Sequence, residues 1–320
     1  MQYTQLGHTG LRISSLVLGA WNFGKVTNEH DSHMILDTAL EAGINVVDTA
    51  NKYGRGTSEE IIGRWLALGS GRREKLMVAT KVFGDFSDWP NDGRLSARHI
   101  RKAAEDSLRR LRTDHIDLYQ MHHVDRCTPW QEIWQAMDIL VAQGKVIYVG
   151  SSNHAGWHIA QGQESALRRH RLGLASEQCL YNLAERTAEQ EVIPAARNYG
   201  LGVLAWSPLH GGMLGGILAT DADPGGRRRT GRAMNSLPRL RDQVQAYEDL
   251  CTAHSLAPAE VALAWVLSRP EITAPIIGPR TVEHLTSALR ALDMKLETAV
   301  LHELDRIFPG PGPAPESFAW

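Results

Sequence analysis

Four side chains in the first half of the chain could act together in transferring a proton: those of Asp48, Tyr53, Lys81 and His122. A tyrosine alone titrates near ~10 and is a poor acid at neutral pH. An ammonium group beside it stabilises the phenolate, and a carboxylate keeps a buried lysine charged. Because histidine can also exchange hydrogen bonds with a substrate oxygen, the set predicts a proton donor for a carbonyl group that receives a hydride.

The elements that must bring these residues together are four short apolar runs, each of which ends in polar residues. The first three runs end at Asp48, Lys81 and His122, and the fourth ends at residues 151–153. Short β-branched runs separated by helix-like stretches are typical of buried parallel strands. Polar residues at the carboxyl ends of such strands form binding and catalytic sites. One such residue alone would more often be a helix cap, an ion-pair partner or a solvated side chain, so the hypothesis of one active site depends on all four strand ends.

The whole chain alternates between strand-like and helix-like segments. A turn signal within residues 2–14 predicts a β-hairpin ahead of the first repeat. Strands are expected near 15–19, 44–48, 76–81, 116–122, 146–151, 175–179, 202–206 and 274–278. Helices are expected near 30–42, 58–68, 96–111, 130–143, 155–170, 187–199, 239–254 and 281–291. These strand-then-helix units predict an α/β fold of the closed (β/α)8 TIM-barrel type.

An open, doubly wound sheet is the alternative architecture. It requires the glycine pattern G-x-G-x-x-G after the first strand. Residues 19–24 read Gly-Ala-Trp-Asn-Phe-Gly and lack that pattern, which favours the barrel.

Two segments interrupt the alternation within what we interpret as a single barrel domain of residues 1–320. Residues 208–238 follow the seventh strand and are too long and too rich in glycine for an ordinary connection. Loops of this kind usually close over a ligand, so we expect 208–238 to be a mobile loop over the cofactor. Residues 309–320 are rich in proline and glycine and are expected to form an irregular tail.

The composition argues against several classes of function. The 320 residues carry a net charge of −2 without a block of like charge, which argues against nucleic-acid and membrane-surface partners. Three widely separated cysteines indicate neither a disulfide framework nor a zinc ribbon. The pairs His122–His123 and His154–His158 lack the further ligands that zinc needs, so no metal site is predicted. With no export signal and no apolar stretch approaching ~18 residues, the sequence predicts a cytoplasmic protein.

Several motifs resemble those of aldo-keto reductases over nearly the whole length of the chain. They are Gly43-Ile-Asn-Val-Val-Asp-Thr-Ala50 with Tyr53-Gly54, Ala79-Thr-Lys81, Asp117-Leu-Tyr-Gln-Met-His122, Val149-Gly-Ser-Ser-Asn153, Glu177-Gln-Cys-Leu-Tyr-Asn182, Trp206-Ser-Pro-Leu209 and Ile277-Gly-Pro-Arg280. The resemblance implies a barrel enzyme that reduces an aldehyde or ketone with a nicotinamide cofactor. It also implies that Tyr53 is the proton donor and that Asp48, Lys81 and His122 support it.

The resemblance further implies a set of cofactor contacts. Ser152, Asn153 and Gln178 would hydrogen-bond the nicotinamide amide, and Trp206 would stack on the nicotinamide ring. Offset stacking of this kind contributes about 0.5–1.5 kcal/mol beyond burial. The residues after Trp206 belong to the same cofactor segment; they are Ser207, Pro208, Leu209 and Gly211.

At the adenine end of the cofactor, the resemblance places Gly278, Arg280 and His284 beside the ribose phosphate. A guanidinium binds a phosphate through a fork of charged hydrogen bonds, which predicts NADPH (NADP+) as the cofactor. The family commonly has glutamine and asparagine where this chain has His284 and Ala288. One adenine contact of the family is therefore expected to be missing here.

The substrate is expected to be a small-molecule carbonyl compound. Trp21 and His123 are the residues that the resemblance places at the substrate mouth. The opening Met-Gln-Tyr-Thr-Gln-Leu-Gly and the segment around Phe83-Gly-Asp85 are most similar to actinobacterial reductases, some of which act on keto-deoxy-sugar nucleotides.

A second class of function stays open. Potassium-channel β subunits are similar to this family over the same barrel and act chiefly as interaction proteins. A cofactor-binding interaction protein is therefore the alternative to an enzyme. The sequence does not indicate an oligomeric state.

Overall fold

Eight parallel strands close into a barrel in the structure, a computed structural model that describes residues 1–219 and 231–312. Each strand pairs with the next one along the chain, and the last strand pairs with the first. The predicted (β/α)8 barrel is therefore confirmed. The barrel strands are β3 (Val17–Gly19), β4 (Val46–Asp48), β5 (Met77–Val82), β6 (Ile116–Met121), β7 (Val146–Ser152), β8 (Leu174–Leu180), β9 (Gly202–Trp206) and β10 (Ala274–Ile277).

A short antiparallel hairpin precedes the barrel, as predicted. Its strands are β1 (Tyr3–Gln5) and β2 (Arg12–Ser14). Leu6 and Ile13 are buried and pack with the inward-facing residues that begin the barrel strands, among them Val46. The hairpin therefore covers the amino ends of the strands and leaves the carboxyl ends open.

Helices surround the barrel, and most of them bury one face against it. The helix α4 (Ala97–Leu111) is typical: Ser96 Oγ accepts the backbone N–H of His99, and buried residues recur every three or four positions. The remaining helices are α1 (Glu29–Glu41), α2 (Thr57–Leu66), α3 (Arg72–Lys75), α5 (Trp130–Ala142), α6 (Gly156–Leu167), α7 (Val192–Asn198), α8 (Arg232–Ala253), α9 (Pro258–Leu267), α10 (Val282–Arg290) and α11 (Thr298–Ile307).

The segment after the seventh barrel strand differs from its prediction as a loop over residues 208–238. Residues 210–215 form a short 3-10 turn, and α8 begins at Arg232 because the helix accommodates Pro238 in its second turn instead of starting after it. Residues 220–230 of the predicted loop lie outside the described residues, and the predicted mobility of 208–238 stays a prediction. Residues 313–320 of the predicted tail also lie outside the described residues.

Three helices of the described residues have no counterpart in the sequence prediction: the short helix α3, in which no residue is buried, and the longer helices α9 and α11. Helix α9 is buried on nearly every side, so its residues are almost uninterruptedly apolar and show no helical period. Helix α11 packs against α8 after the eight-unit repeat is complete. The single helix predicted over 187–199 is instead a 3-10 turn at Thr187–Glu189 followed by α7.

Over residues 1–219 and 231–312, no single helix combines the length and apolar composition needed to cross a membrane. Helices α8 and α9 meet those criteria only when they are joined across their bend of 97°. The same described ranges contain no group of three or more His, Cys, Asp or Glu side chains that could hold a metal ion.

Candidate active site

A cavity of about 580 Å³ opens at the carboxyl ends of the barrel strands. With one exception, the predicted site residues all line it: Trp21, Asp48, Tyr53, His122, His123, Ser152, Asn153, Gln178, Trp206, Ser207, Pro208, Leu209, Gly211, Gly278, Arg280 and His284. The exception is Lys81, which is fully buried and is hydrogen-bonded to Asp48 and Tyr53. The structure therefore brings the predicted residues together, and the role of each stays a prediction.

A buried ion pair supports the site from within the barrel. Lys81 is 0 % exposed, and its Nζ donates to Asp48 Oδ2 at 2.5 Å. The other carboxylate oxygen of Asp48 accepts from Gln120 Nε2 at 3.0 Å and from Gln178 Nε2 at 2.8 Å. Burial by itself would lower the pKa of Lys81, but the carboxylate of Asp48 and the hydroxyl of Tyr53 together outweigh burial and raise the pKa above its ordinary value. Lys81 is therefore charged at neutral pH.

Tyr53 lies next to this ion pair at the cavity surface. It begins a tight turn after β4 in which Gly54 and Arg55 adopt φ angles of 56° and 54°. The turn folds the chain back, so that the phenolic oxygen of Tyr53 lies 3.4 Å from Lys81 Nζ. An ammonium at this distance stabilises negative charge on the phenolic oxygen, which is what a tyrosine needs in order to act as an acid.

The imidazole of His122 lies beside the ring of Tyr53 and is neutral. Its ring centroid lies 5.8 Å from that of Tyr53 in an edge-to-face arrangement, and it stacks on His123 at 4.8 Å. Burial, with smaller contributions from Lys81 and His123, lowers the pKa of His122 to about 2. A neutral imidazole can still donate one hydrogen bond to an oxygen. It is not a cationic acid near neutral pH, which favours Tyr53 as the proton donor.

The residues predicted to hold a carboxamide lie at the end of β7, in the turn that follows it, and on β8. Asn153 has a φ of 59°, and its Nδ2 donates to the carbonyl of His122 and to Ser152 Oγ. Asn153 Oδ1 accepts from Trp206 Nε1 at 3.0 Å. The amide nitrogen of Gln178 is already bonded to the ion pair. Because these donors are used internally, the oxygens of Asn153 and Gln178 provide the remaining hydrogen-bonding capacity, which suits the N–H groups of a primary carboxamide.

A second buried carboxyl group, that of Glu177, lies beneath this turn and was assigned no role from the sequence. Glu177 is 0 % exposed, and it accepts the backbone N–H of His154 at 3.0 Å and the hydroxyl of Ser151 at 2.5 Å. Burial raises the pKa of Glu177 to about 8, although these hydrogen bonds act in the opposite direction. The side chain is therefore mostly protonated at neutral pH.

The titration of Glu177 predicts that the wild-type protein loses stability with rising pH relative to the variant Glu177→Gln. A carboxyl group with a pKa of about 8 when folded and an ordinary value of 4.5 binds more protons in the folded state, so the free energy of unfolding falls between those pH values. The variant has no such proton to lose. We expect it to gain roughly 2–5 kcal/mol over wild type between about pH 5 and pH 8. Denaturant titrations of both proteins at several pH values measure this, and parallel curves would contradict the raised pKa.

The segment after β9 turns sharply around the cavity. Ser207 has a φ of 57°, and Gly211 and Gly212 have φ angles of 71° and 99°. Ser207 Oγ accepts the backbone N–H of Gly211 at 3.0 Å, which holds the turn closed. Glycine suits these two positions because a left-handed backbone disfavours a side chain. The turn places Pro208 and Leu209 on the cavity wall.

The connection from β10 to α10 forms a further part of the cavity wall, between the segments that follow β9 and β3. Asn22 Nδ2 donates to the carbonyl of Gly278 at 2.9 Å, and Thr27 Oγ1 donates to the carbonyl of Arg280 at 3.2 Å. These bonds attach the connection to the loop after β3. Arg280 and His284 line the cavity beside the first turn of α10, where the helix dipole favours an anion.

Sequence reasoning missed several residues in and around this site, among them Gln120, Arg232 and Lys25. Gln120 lies within the apolar run of β6, and nothing in the sequence signals its hydrogen bond to the ion pair. Arg232 fell within the predicted loop, whereas the structure places its guanidinium 4.9 Å from the centroid of the Trp206 ring. Lys25 lines the cavity, and its Nζ lies 4.1 Å from the centroid of the Trp21 ring. The position of Lys25 in the loop after the first barrel strand could have suggested a role.

Comparison with known proteins agrees with the motifs. The model of the aldo/keto reductase family matches residues 15–308. The chain is 52% identical to the uncharacterized oxidoreductase YrpG of Bacillus subtilis over the full length of both proteins. It is 32% identical to the versiconal hemiacetal acetate reductase of Aspergillus parasiticus, with 95% of this chain and 96% of the relative covered. It is 33% identical to a probable voltage-gated potassium channel subunit beta of Oryza sativa subsp. japonica, with 92% of each covered. The chain therefore belongs to the aldo/keto reductase family, whose chemistry is oxidoreduction at carbonyl groups.

Proposed function

We propose that the protein reduces a small-molecule aldehyde or ketone to the alcohol with NADPH, and that Tyr53 is the proton donor. The observation that carries the proposal is the position of the Tyr53 hydroxyl. It lies at the cavity surface, 3.4 Å from the Nζ of a lysine that is buried, charged and paired with Asp48. A phenol in this position can protonate an oxygen, and the cavity beside it can hold a substrate.

The residues around the cavity fit a nicotinamide nucleotide. The oxygens of Asn153 and Gln178 suit a carboxamide, Trp206 provides a planar ring, and Arg280 lines the cavity just before the start of α10. A reduced nicotinamide, when bound, would supply the hydride to the carbonyl carbon. The proton for the carbonyl oxygen would come from a side chain of the protein.

The chain's own part in the reaction concerns the carbonyl oxygen. Tyr53 donates a hydrogen bond to that oxygen and transfers its proton as negative charge develops there. The ammonium of Lys81 stabilises the phenolate that remains, and Asp48 keeps that ammonium charged. The neutral imidazole of His122 donates a second hydrogen bond, which orients the carbonyl group.

The choice of cofactor is tested by the variant Arg280→Ala. If Arg280 contacts the 2′-phosphate, the contact should contribute roughly 1.5–3 kcal/mol, and its loss should weaken NADPH binding by about one to two decades and leave NADH nearly unchanged. Arg290→Ala is the matched control, since Arg290 lies at the other end of α10 and pairs with Glu260. Titration of both cofactors by protein fluorescence measures the effect. Equal losses for NADPH and NADH would mean that Arg280 binds a part that the two cofactors share.

The alternative is a cofactor-binding interaction protein, and the similarity to the rice channel subunit is the observation that favours it. The two functions separate in a panel of aldehydes, ketones and keto-deoxy-sugar nucleotides assayed for oxidation of NADPH. We expect steady oxidation of NADPH with at least one class of compound, because the Lys81–Asp48 ion pair lies beside the Tyr53 hydroxyl. Tight binding of NADPH without turnover on any member would favour the interaction protein.

A further inference from the structure

Among the described residues that line the cavity, basic side chains outnumber acidic ones. Among the described lining residues, Asp48 is the sole carboxylate, and it is paired with the buried Lys81. The cationic lining residues are Lys25, Lys52 and Arg280. The imidazoles of His122 and His123 add little positive charge near neutral pH, because burial lowers the pKa of His122 to about 2 and also lowers the pKa of His123 below its ordinary value. An excess of positive charge in a cleft favours anionic ligands.

The loop that carries Lys25 is held in place from several directions. The carbonyl of Asn22 accepts the backbone N–H groups of residues 25–27, and Gly24 N–H donates to the carbonyl of Thr27 at 2.8 Å. The side chains of Asn22 and Thr27 hydrogen-bond the carbonyls of Gly278 and Arg280. The ammonium of Lys25 then rests over the Trp21 ring, 4.1 Å from its centroid, which contributes a cation–π contact.

No carboxylate in residues 1–219 or 231–312 forms an ion pair with Lys25. Within these described residues, its ammonium contacts the Trp21 ring. Lys52, by contrast, donates from Nζ to the carbonyl of Asp85 at 2.5 Å. Lys25 is therefore the cavity lysine that is best placed to pair with a ligand.

We propose that Lys25 and Trp21 form a subsite for an anionic group of the substrate, so that the preferred substrates are carbonyl compounds that carry a carboxylate or phosphate. The inference rests on the proposed reduction. Lys25 follows β3 and Tyr53 follows β4, which is the neighbouring strand of the barrel. Adjacent strands lie about 4.8 Å apart, so the anionic group and the carbonyl should be separated by one or two strand spacings. The compound 4-carboxybenzaldehyde has this form.

The test compares 4-carboxybenzaldehyde with its neutral methyl ester, methyl 4-formylbenzoate, in wild type and Lys25→Gln. We expect the ratio of kcat/KM for the acid to kcat/KM for the ester to fall about threefold to tenfold in the variant, because Lys25 is exposed and solvent screens a contact with its ammonium. High salt should lower the wild-type ratio in the same direction. Lys75→Gln is the matched control, since Lys75 lies on α3 before the amino end of β5 and does not line the cavity. An unchanged ratio in Lys25→Gln would overturn the inference.

Two further measurements distinguish a substrate subsite from a cofactor contact and from failure of the proposed reduction. If Lys25→Gln weakens NADPH binding by as much as it lowers the ratio, Lys25 binds the cofactor and the substrate subsite is wrong. If wild type reduces neither aldehyde, the proposed reduction fails for this class, and equilibrium binding of terephthalate tests the subsite without turnover. Weaker binding of terephthalate to Lys25→Gln than to Lys75→Gln would support the subsite, and equal binding would overturn it.

Discussion

Replacement of Tyr53 by phenylalanine should lower carbonyl reduction by about 10²-fold or more while the affinity for NADPH stays close to that of wild type. The substitution keeps the ring and removes the phenolic hydroxyl that lies 3.4 Å from Lys81 Nζ. The edge-to-face contact with His122 involves the ring and is retained. The loss should therefore appear in kcat, since the missing group acts in the transition state.

A matched control for this variant is Tyr199→Phe. The hydroxyl of Tyr199 hydrogen-bonds Glu164 on the outside of the barrel and does not line the cavity. We expect turnover to be unchanged in the control, and thermal unfolding of both variants checks that the fold is intact. Turnover of Tyr53→Phe equal to that of wild type would exclude Tyr53 as the acid. Because His122 is neutral near pH 7, the proton would then have to come from another group or from water.

The barrel and the four residues of the predicted proton transfer could be predicted from local sequence patterns, whereas the cofactor and substrate residues were predicted from the resemblance to aldo-keto reductases. Each barrel strand lies within two residues of its predicted limits, since a buried parallel strand is a short apolar run with clear ends. Asp48 and Lys81 were predictable for a related reason: each is a charged residue that ends or nearly ends such a run, where burial of a charge needs an explanation.

The parts that could not be predicted depend on contacts between distant segments. Gln120 is a polar residue in a strand, and its function in bonding Asp48 is visible only when β4 and β6 are placed in the same barrel. Helix α9 has no polar face, so its sequence shows no helical periodicity from which it could be predicted. Arg232 contacts Trp206 only because α8 begins earlier than Pro238 suggested.

Replacement of Lys81 by methionine should have the second large effect, on both rate and stability. Methionine keeps the length of the side chain and removes the ammonium, so Asp48 keeps its two amide donors and loses its counter-ion. Removal of one partner of a buried ion pair costs about 3–5 kcal/mol. The hydrogen bonds from Gln120 and Gln178 should hold the loss toward the lower end of that range.

The double variant Asp48→Asn/Lys81→Met separates the loss of stability from the loss of chemistry. It removes both charges, so we expect it to recover part of the stability lost in Lys81→Met. Its turnover should stay about 10²-fold or more below wild type, because the phenolate of Tyr53 still lacks a neighbouring positive charge. Recovery of turnover together with stability would show that the ion pair is structural only.

The pH profile of the residual activity of Lys81→Met gives the most specific readout of the lysine. Reduction needs the Tyr53 hydroxyl in its protonated form, so turnover falls on the alkaline side as that proton is lost. In wild type the ammonium of Lys81 favours the phenolate, whereas in the variant it does not. The alkaline limb of the profile should therefore move to higher pH in the variant as the overall rate drops. Steady-state kinetics across the alkaline range measures both changes, and a lower rate with an unshifted limb would mean that Lys81 supports the fold around Tyr53 without acting on its proton.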